Sequence, residues 1–446
     1  MRLAGPEGRG DQAPVRGRFH WQSFAADALL VSGGGLAANV INYAFHFVLS
    51  RSLGPDAYGS LAALLAIVMV VGVIGTSVGT AAMQRTARLW AAHRDDAIGE
   101  VSRKMTVLSL RVGCIVALAT IVLAFPLSRY LHITSPLAWA ALAVALFACV
   151  AAACVRGAIQ GAHRFKVYAA SLVVESAVKL ALGIALVDAG LSVGGAMAGV
   201  AFGLIAGTAI ASIPLASRRG SAVNGKPTPI GTDAWRLMAV YVASMALMYV
   251  DTVFAKHALS GVDAGEYTAA GLVARIIPFG VGLIAPLIAP KAVAARHADR
   301  GALGRLLVVT FGFAAAATIL VLAVMESIPG PLIGVTFGAA FAPAATLLRV
   351  YAVDASLIAL GQLGAAYLAA VGEYGVAKWL AFSLGAQIVA MALFGDAAVR
   401  LLVIAIAGNA LVLPPIVALI VRSTRESPQA PIPRRAEAHS SQPEHA

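Results

Sequence analysis

The chain has 446 residues, of which 60% are hydrophobic and only 12% charged, and its mean hydropathy is +0.84. A soluble domain of this length cannot bury that much apolar surface. The apolar residues lie in runs of about 18 or more, the length that a helix needs to cross a bilayer. The composition therefore excludes a soluble globular protein and predicts a polytopic membrane protein.

Taken in chain order, the apolar runs predict twelve transmembrane helices, which we call spans 1 to 12. None of them alternates between apolar and polar residues, so a transmembrane β-barrel is not expected. The predicted fold class is all-α. The spans cover residues 24–50, 57–82, 104–126, 136–158, 166–189, 192–215, 233–258, 265–289, 303–325, 345–371, 374–394 and 396–421.

The net charge of +12 is distributed unevenly around these spans. Of the 33 Lys and Arg residues, 25 fall on the side of the membrane that holds both termini. The opposite side receives only Arg51, Arg129, Lys256 and Arg400. Because basic residues accumulate in cytoplasmic loops, the distribution predicts a multi-pass protein of the plasma (inner) membrane with both termini in the cytoplasm. The basic charge then reflects topology and contact with membrane lipids, and nucleic-acid binding is not expected.

Five segments follow from the spans and from the composition between them. Residues 24–215 form an N-lobe with spans 1 to 6, and residues 233–421 form a C-lobe with spans 7 to 12. Residues 216–232, with their Arg, Gly and Pro residues, are predicted to be a cytoplasmic linker. Residues 1–23 form a cytoplasmic tail, and the charged, proline-rich residues 422–446 form a disordered one.

The two halves of the chain are predicted to be repeats of each other. Tyr58 and Tyr267 follow spans 1 and 7 in similar turns, and they are 209 residues apart. Phe165 and Tyr374, which end the turns after spans 4 and 10, have the same spacing of 209, as do Asn42 and Asp251. Six helices per repeat is an even number, so both halves enter the membrane in the same sense. The sequence therefore predicts two six-helix bundles related by a pseudo-two-fold axis along the membrane normal, with a substrate site between them.

Two stretches of sequence carry a family resemblance. Asn42 followed by RSLGPDAYGSLAALLA, and span 7 with YVDTVFAKHALSGVDAGEYTAAGLVARI, resemble the polysaccharide and O-antigen repeat-unit flippases of the multidrug/oligosaccharidyl-lipid/polysaccharide exporter superfamily. The resemblance implies a V-shaped pair of bundles around a central cavity. It also implies alternating-access export of a lipid-linked oligosaccharide or polysaccharide precursor with an anionic pyrophosphate head. Partners of such a flippase would be polysaccharide-assembly proteins.

Charged residues inside the spans are costly in a bilayer and are candidates for function. Cations that could bind a pyrophosphate by charge-assisted hydrogen bonds are Arg275 in span 8, Lys179 in span 5 and Arg349 in span 10. Arg275 is the sharpest candidate, since Pro278, Gly280, Gly282, Pro286 and Pro290 follow it and would loosen the helix. Lys179 could instead form a local i,i+4 ion pair with Glu175, and Arg349 could reach the headgroups.

A second group of polar residues is predicted to serve in gating or coupling. Asp251, two turns from the end of span 7, is expected to pair with Arg275 on the next helix, as a gate for which the substrate competes. Glu175 is the carboxylate of span 5. Asn42 and His46 belong to a polar stripe on span 1, which forms either an interhelical hydrogen-bond seam or the wall of a wet cavity.

Two other function classes compete with a flippase. A multidrug or cation antiporter of the same superfamily would favour acidic cavity residues, whereas the candidates here lean slightly towards cations. A polysaccharide polymerase or ligase would need a sizeable polar loop outside the membrane, and the longest such loop, 326–344, is mostly apolar. No pair of His or Cys has metal-ligand spacing and no nucleotide-binding loop occurs, so no enzyme, metal or cofactor is expected.

Overall fold

The computed structural model of the chain describes residues 21–92, 94–216, 232–282 and 300–425. These described residues are almost entirely helical and contain no strand. Residues 1–20 and 426–446 of the expected tails, most of the linker at 216–232, Pro286 and Pro290 lie outside the described residues. Residues 21–23 and 422–425 of those tails instead belong to the first and last helices.

The N-terminal half forms five long helices. They are α1 (Trp21–Ala91), α2 (Asp95–Leu131), α3 (Pro136–Gly161), α4 (Phe165–Leu186) and α5 (Ser192–Ala216). Helix α1 holds both span 1 and span 2. A break in its backbone at Gly54, where φ is 73°, separates the two spans. A single π turn, Val187–Leu191, joins α4 to α5 and contains Gly190 at φ 88°. Glycine adopts these positive φ values without the steric cost that other residues meet.

The C-terminal half follows the same plan with shorter pieces. Its helices are α6 (Thr232–Ala258), α7 (Gly261–Ala274), α8 (Ile276–Gly282), α9 (Arg300–Ser327), α10 (Pro329–Thr336), α11 (Ala344–Ala370), α12 (Val376–Phe394) and α13 (Ala398–Arg425). Helices α7 and α8 together are the described part of span 8. The short α10 and one 3₁₀ turn, Ala339–Phe341, lie between spans 9 and 10.

The described residues contain nine helical stretches that are long and apolar enough to cross a membrane. Two of these stretches, Leu30–Trp90 and Phe165–Leu215, hold two predicted spans each. Helices α7 and α8 occupy the described part of span 8, residues 265–282. The helices of the described residues are therefore consistent with the twelve predicted spans.

The packing of the helices confirms the two-lobe architecture and the internal repeat. In the N-lobe, α1 packs on α3 and α4, α2 on α3, and α5 on both α3 and α4. The C-lobe makes the corresponding contacts: α7 and α8 pack on α11, α6 on α12, α9 on α11, and α13 on both α11 and α12. Each half thus builds the same bundle.

The helices extend further than hydropathy indicates. The region between spans 2 and 3 was expected at 83–103, but α1 continues to Ala91 and α2 begins at Asp95. Polar residues beyond the membrane can continue the backbone hydrogen bonds of a helix, whereas hydropathy marks only the part that crosses the apolar layer. The predicted turn at 53–59 is likewise only a break within α1, centred on Gly54.

Candidate functional site

Arg275 is the centre of a buried polar cluster in the C-lobe. It lies at the junction of α7 and α8 and is only 2% exposed. Its Nη2 atom lies 3.0 Å from Asp251 Oδ1, 2.8 Å from Thr252 Oγ1, 2.7 Å from the Tyr351 hydroxyl and 2.8 Å from the Met248 carbonyl oxygen. That nitrogen has two protons, so four oxygens compete for them. The predicted pair of Asp251 and Arg275 is thereby confirmed as a contact.

Asp251 receives hydrogen bonds from two tyrosines in addition to the arginine. The Tyr267 hydroxyl donates to Oδ2 over 3.1 Å, and the Tyr351 hydroxyl donates to the same oxygen. The guanidinium also lies over the rings of Tyr249 and Tyr351, with its Cζ 4.5 and 5.3 Å from the two centroids. The carboxylate and the guanidinium are therefore compensated where water is excluded, which is the condition for tolerating such a pair.

The local sequence explains how these groups meet. Arg275 caps α7, and its backbone N–H bonds to the Gly271 carbonyl oxygen. A Cβ atom at Gly271 would stand 2.7 Å from the Tyr351 ring, so glycine is what admits this tyrosine to the cluster. Pro278, three residues beyond Arg275, lacks a backbone donor and so weakens the continuation of the helix.

Two further charged residues of α11 lie on different sides of that helix. Asp354, one turn from Tyr351, is 1% exposed and accepts a 2.9 Å hydrogen bond from Asn409 of α13. Arg349 is exposed and stands 3.9 Å from Glu326. The structure thus places Arg349 at the exposed end of span 10 and outside the cluster that Arg275 organises.

In the N-lobe the predicted local pair of Glu175 and Lys179 is not formed. Glu175 instead lies 2.5 Å from Arg156 of α3, which also donates from Nε to the Ser171 hydroxyl over 3.1 Å. Arg156 was expected in the polar turn after span 4. It reaches Glu175 because Gly207 of α5 leaves room: a Cβ there would stand 2.5 Å from the guanidinium. The observed ion pair therefore joins α3 to α4, whereas the expected pair lay within α4.

Lys179 is left with a different environment. Its ammonium lies 4.4 Å from the centroid of the Phe45 ring, a cation–π contact between α4 and α1. Among the residues that the structure describes, no carboxylate lies within ion-pair distance of Lys179. Among the described residues, this half-buried lysine is therefore a cation in the N-lobe interior without a carboxylate in direct contact, and Glu175, one turn away on α4, acts on it only from a distance.

The polar stripe of span 1 meets the same region. His46 Nδ1 lies 3.0 Å from the Tyr58 hydroxyl, across the break in α1. Tyr58 is the repeat partner of Tyr267, so both equivalent tyrosines point back to a polar residue of the preceding span. Asn42, the repeat partner of Asp251, is half-buried on α1. The equivalent tyrosine of the N-lobe therefore contacts His46 and not Asn42, so the two lobes differ both in charge and in the partner of this tyrosine.

The two lobes contact each other at the end where α1 breaks. Gly59 and Gly265 bring the two helices together there, since a Cβ at Gly59 would stand 2.9 Å from the backbone nitrogen of Gly265. A Cβ at Gly265 would collide with the Pro55 carbonyl oxygen. Lys256 Nζ lies 3.3 Å from Asp56 Oδ1 at the same place. We call these interlobe contacts, together with the ring contacts of Tyr58, Phe337, Phe341, Tyr130 and His257, the lobe seal.

Aromatic rings complete the lobe seal. The loop after α10 contributes Phe337 and Phe341, whose ring centroids lie 5.5 and 5.8 Å from that of Tyr58. On the other flank, the rings of His257 from α6 and Tyr130 from α2 stack at 3.7 Å. These rings bury apolar surface between the lobes, so separating the lobes at this end has a free-energy cost.

Several residues of the site were not singled out from the sequence. Tyr351, Tyr267 and Thr252 enclose the Asp251–Arg275 pair, and Arg156 neutralises Glu175. Tyr267 was an anchor of the repeat but was not predicted to belong to the site. Tyrosine and threonine are common in membrane helices, so nothing in the spacing of Tyr351 and Thr252 marks them. For Arg156 a signal was present, because it lies five residues inside α3 and could have been counted as an intramembrane charge.

Comparison with solved structures identifies the fold. The fold is similar to an inward-facing multidrug resistance MATE family transporter of the MOP superfamily, with a TM-score of 0.73, 17% identity, and 87% of this chain and 94% of that one covered. An outward-facing transporter of that description gives 0.60 at 16% identity, covering 89% and 95%. A MOP superfamily transporter from Pyrococcus furiosus, described as having a binding pocket of reverse polarity, gives 0.61 at 16% identity, covering 90% and 94%.

The fold is thus that of a membrane transporter of the MOP superfamily. The family model for polysaccharide biosynthesis proteins matches residues 24–290, and the chain belongs to that family. No curated protein sequence matches the chain.

Proposed function

We propose that the protein is a flippase that moves a lipid-linked oligosaccharide or polysaccharide precursor outward across the plasma membrane by alternating access. The family supports polysaccharide biosynthesis, and the two-lobe fold supports transport between two conformations. The observation that carries the choice of substrate is Lys179, a cation in the N-lobe with no carboxylate partner among the described residues. A pyrophosphate would supply the missing anion in a partly dehydrated site.

Arg275 has a different role in this proposal. Its guanidinium is already bound by the Asp251 carboxylate and three further oxygens, so the phosphate has to compete with Asp251 for it. In this proposal the phosphate binds Lys179 first, and it displaces Asp251 from Arg275 when the lobes rearrange. Arg349, at the exposed end of span 10, remains a predicted contact for the head group during release.

The distribution of basic residues predicts the side of the membrane on which the lobe seal lies. With both termini in the cytoplasm, the lobe seal lies on the outer side of the membrane. The greater similarity to the inward-facing transporter fits a structure closed on that side. Opening outward then requires the lobe seal to separate. Polysaccharide-assembly proteins acting on the exported glycan would be the partners.

Export is tested by depleting the protein in cells and measuring undecaprenyl-linked glycan on the cytoplasmic leaflet. We expect accumulation on depletion, reversal by the wild-type chain, and no reversal by Lys179→Ala. Lys179→Arg should restore at least part of export, because it retains a cation at this position. Arg400→Ala is the matched control, since Arg400 is exposed and paired with Asp396 at 2.7 Å. Full export by Lys179→Ala at normal protein level would refute the proposed anion site.

A multidrug or cation antiporter is the second candidate, and the C-lobe carboxylates favour it. Asp251 and Asp354 are both buried, and antiporters of organic cations need such groups. The discriminating measurement is ethidium accumulation in cells that express the protein. Reduced accumulation that depends on Asp354, together with unchanged lipid-linked glycan, would replace the flippase proposal.

A further inference from the structure

One cavity in the described part of the chain is lined by N-lobe residues alone. It is a groove of about 640 Å³ between α2 and α3 in the N-lobe. Ile121 and Phe125 line it from α2, and Ala140 and Val144 line it from α3. Trp139 is 5% exposed and forms its floor, held by a hydrogen bond of 3.0 Å from its indole nitrogen to the Ile133 carbonyl oxygen. The volume lies within the usual range of ligand sites, about 300–1,000 Å³.

The groove has two defined ends. Towards the membrane centre, α2 and α3 close up at Gly113, where a Cβ would stand 3.0 Å from the Phe147 carbonyl oxygen. At the other end lies the turn between the two helices, where Thr134 and Ser128 contribute hydroxyl groups. The groove runs from Ala117 to Ser128, which is about 17 Å of helix at 1.5 Å per residue. That length is close to one leaflet of the hydrocarbon core, which is about 15 Å, or half of about 30 Å.

A cation stands at the polar end of the groove. The guanidinium of Arg129 lies over the ring of Phe125 with its Cζ 4.4 Å from the centroid. Arg129 is exposed, and no carboxylate among the described residues lies within ion-pair distance of it. The surrounding face of α2 is strongly apolar, with Leu118 at 63% and Val122 at 67% exposure. An apolar channel one leaflet long that ends at hydroxyls and a free cation matches a lipid with an anionic head group.

We propose that this groove binds one acyl chain of an anionic glycerophospholipid from the surrounding membrane, with the lipid phosphate held by Arg129. None of the residues that line the groove belongs to the lobe seal, and neither Lys179 nor Arg275 is among them, so the assignment is independent of the transported substrate. A bound lipid would fill the space between α2 and α3 that the protein leaves empty.

The groove holds a built-in reporter, since Trp139 is one of only five tryptophans. The other four are replaced by phenylalanine, and the protein is reconstituted in vesicles of unlabelled phosphatidylcholine. Quenching of Trp139 is then measured as a fraction of the lipid is replaced by phosphatidylglycerol or phosphatidylcholine with brominated acyl chains. We expect quenching to favour phosphatidylglycerol by about five-fold in lipid concentration, the effect of one cation near a membrane surface.

Two test variants and two matched controls make the result specific. Arg129→Gln should bring the preference to about one, whereas Arg111→Gln, the same change on α2 beyond the tight contact at Gly113, should retain it. Ala140→Phe should fill the groove and reduce quenching by both lipids. Ala316→Phe, at an exposed position of α9, controls for added bulk on the lipid-facing surface.

Two outcomes would overturn the proposal. Equal quenching by the two brominated lipids in the protein with wild-type Arg129 would mean that lipids enter the groove without selection for an anionic head group. Displacement of the brominated lipid by undecaprenyl phosphate at much lower concentration than by unlabelled phosphatidylglycerol would assign the groove to an isoprenoid tail. Either result leaves the export measurement unaffected, so the two proposals are separable.

Discussion

At the scale of single residues, the Asp251–Arg275 pair places two charged groups in a membrane interior, where an isolated charge is costly. Each group is charged and almost fully buried. Asp251 is tolerated because Arg275 and two tyrosine hydroxyls donate to it. Arg275 is tolerated because Asp251, one tyrosine hydroxyl, one threonine hydroxyl and a backbone carbonyl accept from it. Removing one member of a buried pair leaves the other without compensation, which typically costs about 3–5 kcal/mol in soluble proteins. Substitutions here therefore affect folding as well as transport, and both have to be measured.

We predict that Arg275→Ala abolishes glycan export and also lowers the melting temperature of the purified protein in detergent. Arg275→Lys should restore stability more completely than export, because it returns the charge without the planar donor geometry. Arg400→Ala serves as the control for loss of an exposed arginine. Normal export by Arg275→Ala would show that the cluster has no part in transport.

Asp251→Asn separates the charge of the pair from its hydrogen bonds. The amide oxygen still accepts from Tyr267 and Tyr351 and mimics Asn42 of the first repeat, but Arg275 loses its counter-charge. We expect slower export with substrate binding retained or tightened, because the phosphate no longer competes with a carboxylate. Binding of a soluble pyrophosphate analogue and export are measured on the same variant. Weaker binding together with normal export would contradict the gate.

At the scale of helices, the approach of α1 to α7 depends on residues without side chains. Gly59 and Gly265 remove the atoms that would hold the two helices apart, and small residues serve the same purpose in many membrane helix contacts. The obstacle to a larger residue at Gly265 is the backbone carbonyl of Pro55, which cannot rotate away as a side chain can. The lobe seal is therefore sensitive to a single methyl group at this point.

We predict that Gly265→Ala weakens the lobe seal and shifts the protein towards the outward-open conformation. The readout is the labelling rate of a single cysteine placed at Ala63, which is fully buried one turn beyond Gly59 on the same face of α1. Labelling by a small membrane-impermeant reagent should increase several-fold over the same cysteine in the Gly265 background. Gly312→Ala in α9 is the matched control, since a Cβ there would meet no other atom within 4 Å. An unchanged labelling rate at normal protein level would refute the role of this contact.

At the scale of the whole molecule, the lobe seal and the internal repeat together define how the lobes can move. Each lobe has a continuous set of helix contacts, while the lobes meet mainly through α1 against α6 and α7. Motion of one bundle against the other is therefore less costly than rearrangement within a bundle.

A disulfide across the lobe seal tests this directly. A Cβ built at Gly261 lies 3.1 Å from the Cβ of Asp56, close to the separation of about 3.5–4.5 Å that a disulfide needs. In a background without the three native cysteines, we expect Asp56→Cys with Gly261→Cys to crosslink on oxidation and to stop export until reduced. Each single variant should export under both conditions. Export that persists in the fully crosslinked protein would mean that this end does not have to open.

The sequence by itself determined the class of fold and the contact of Asp251 with Arg275. It also predicted twelve spans in two repeats 209 residues apart, with which the described helices are consistent. Bilayer thickness, the cost of an unpaired intramembrane charge and the order of neighbouring spans are sufficient for those conclusions. The partner of Glu175, the exposed position of Arg349, the tyrosines around Arg275 and the groove beside Trp139 were decided by the tertiary structure. These depend on which faces of separate helices meet. Glycines such as Gly207 and Gly271 permit those approaches, and their effect is visible only when the neighbouring helix is in place.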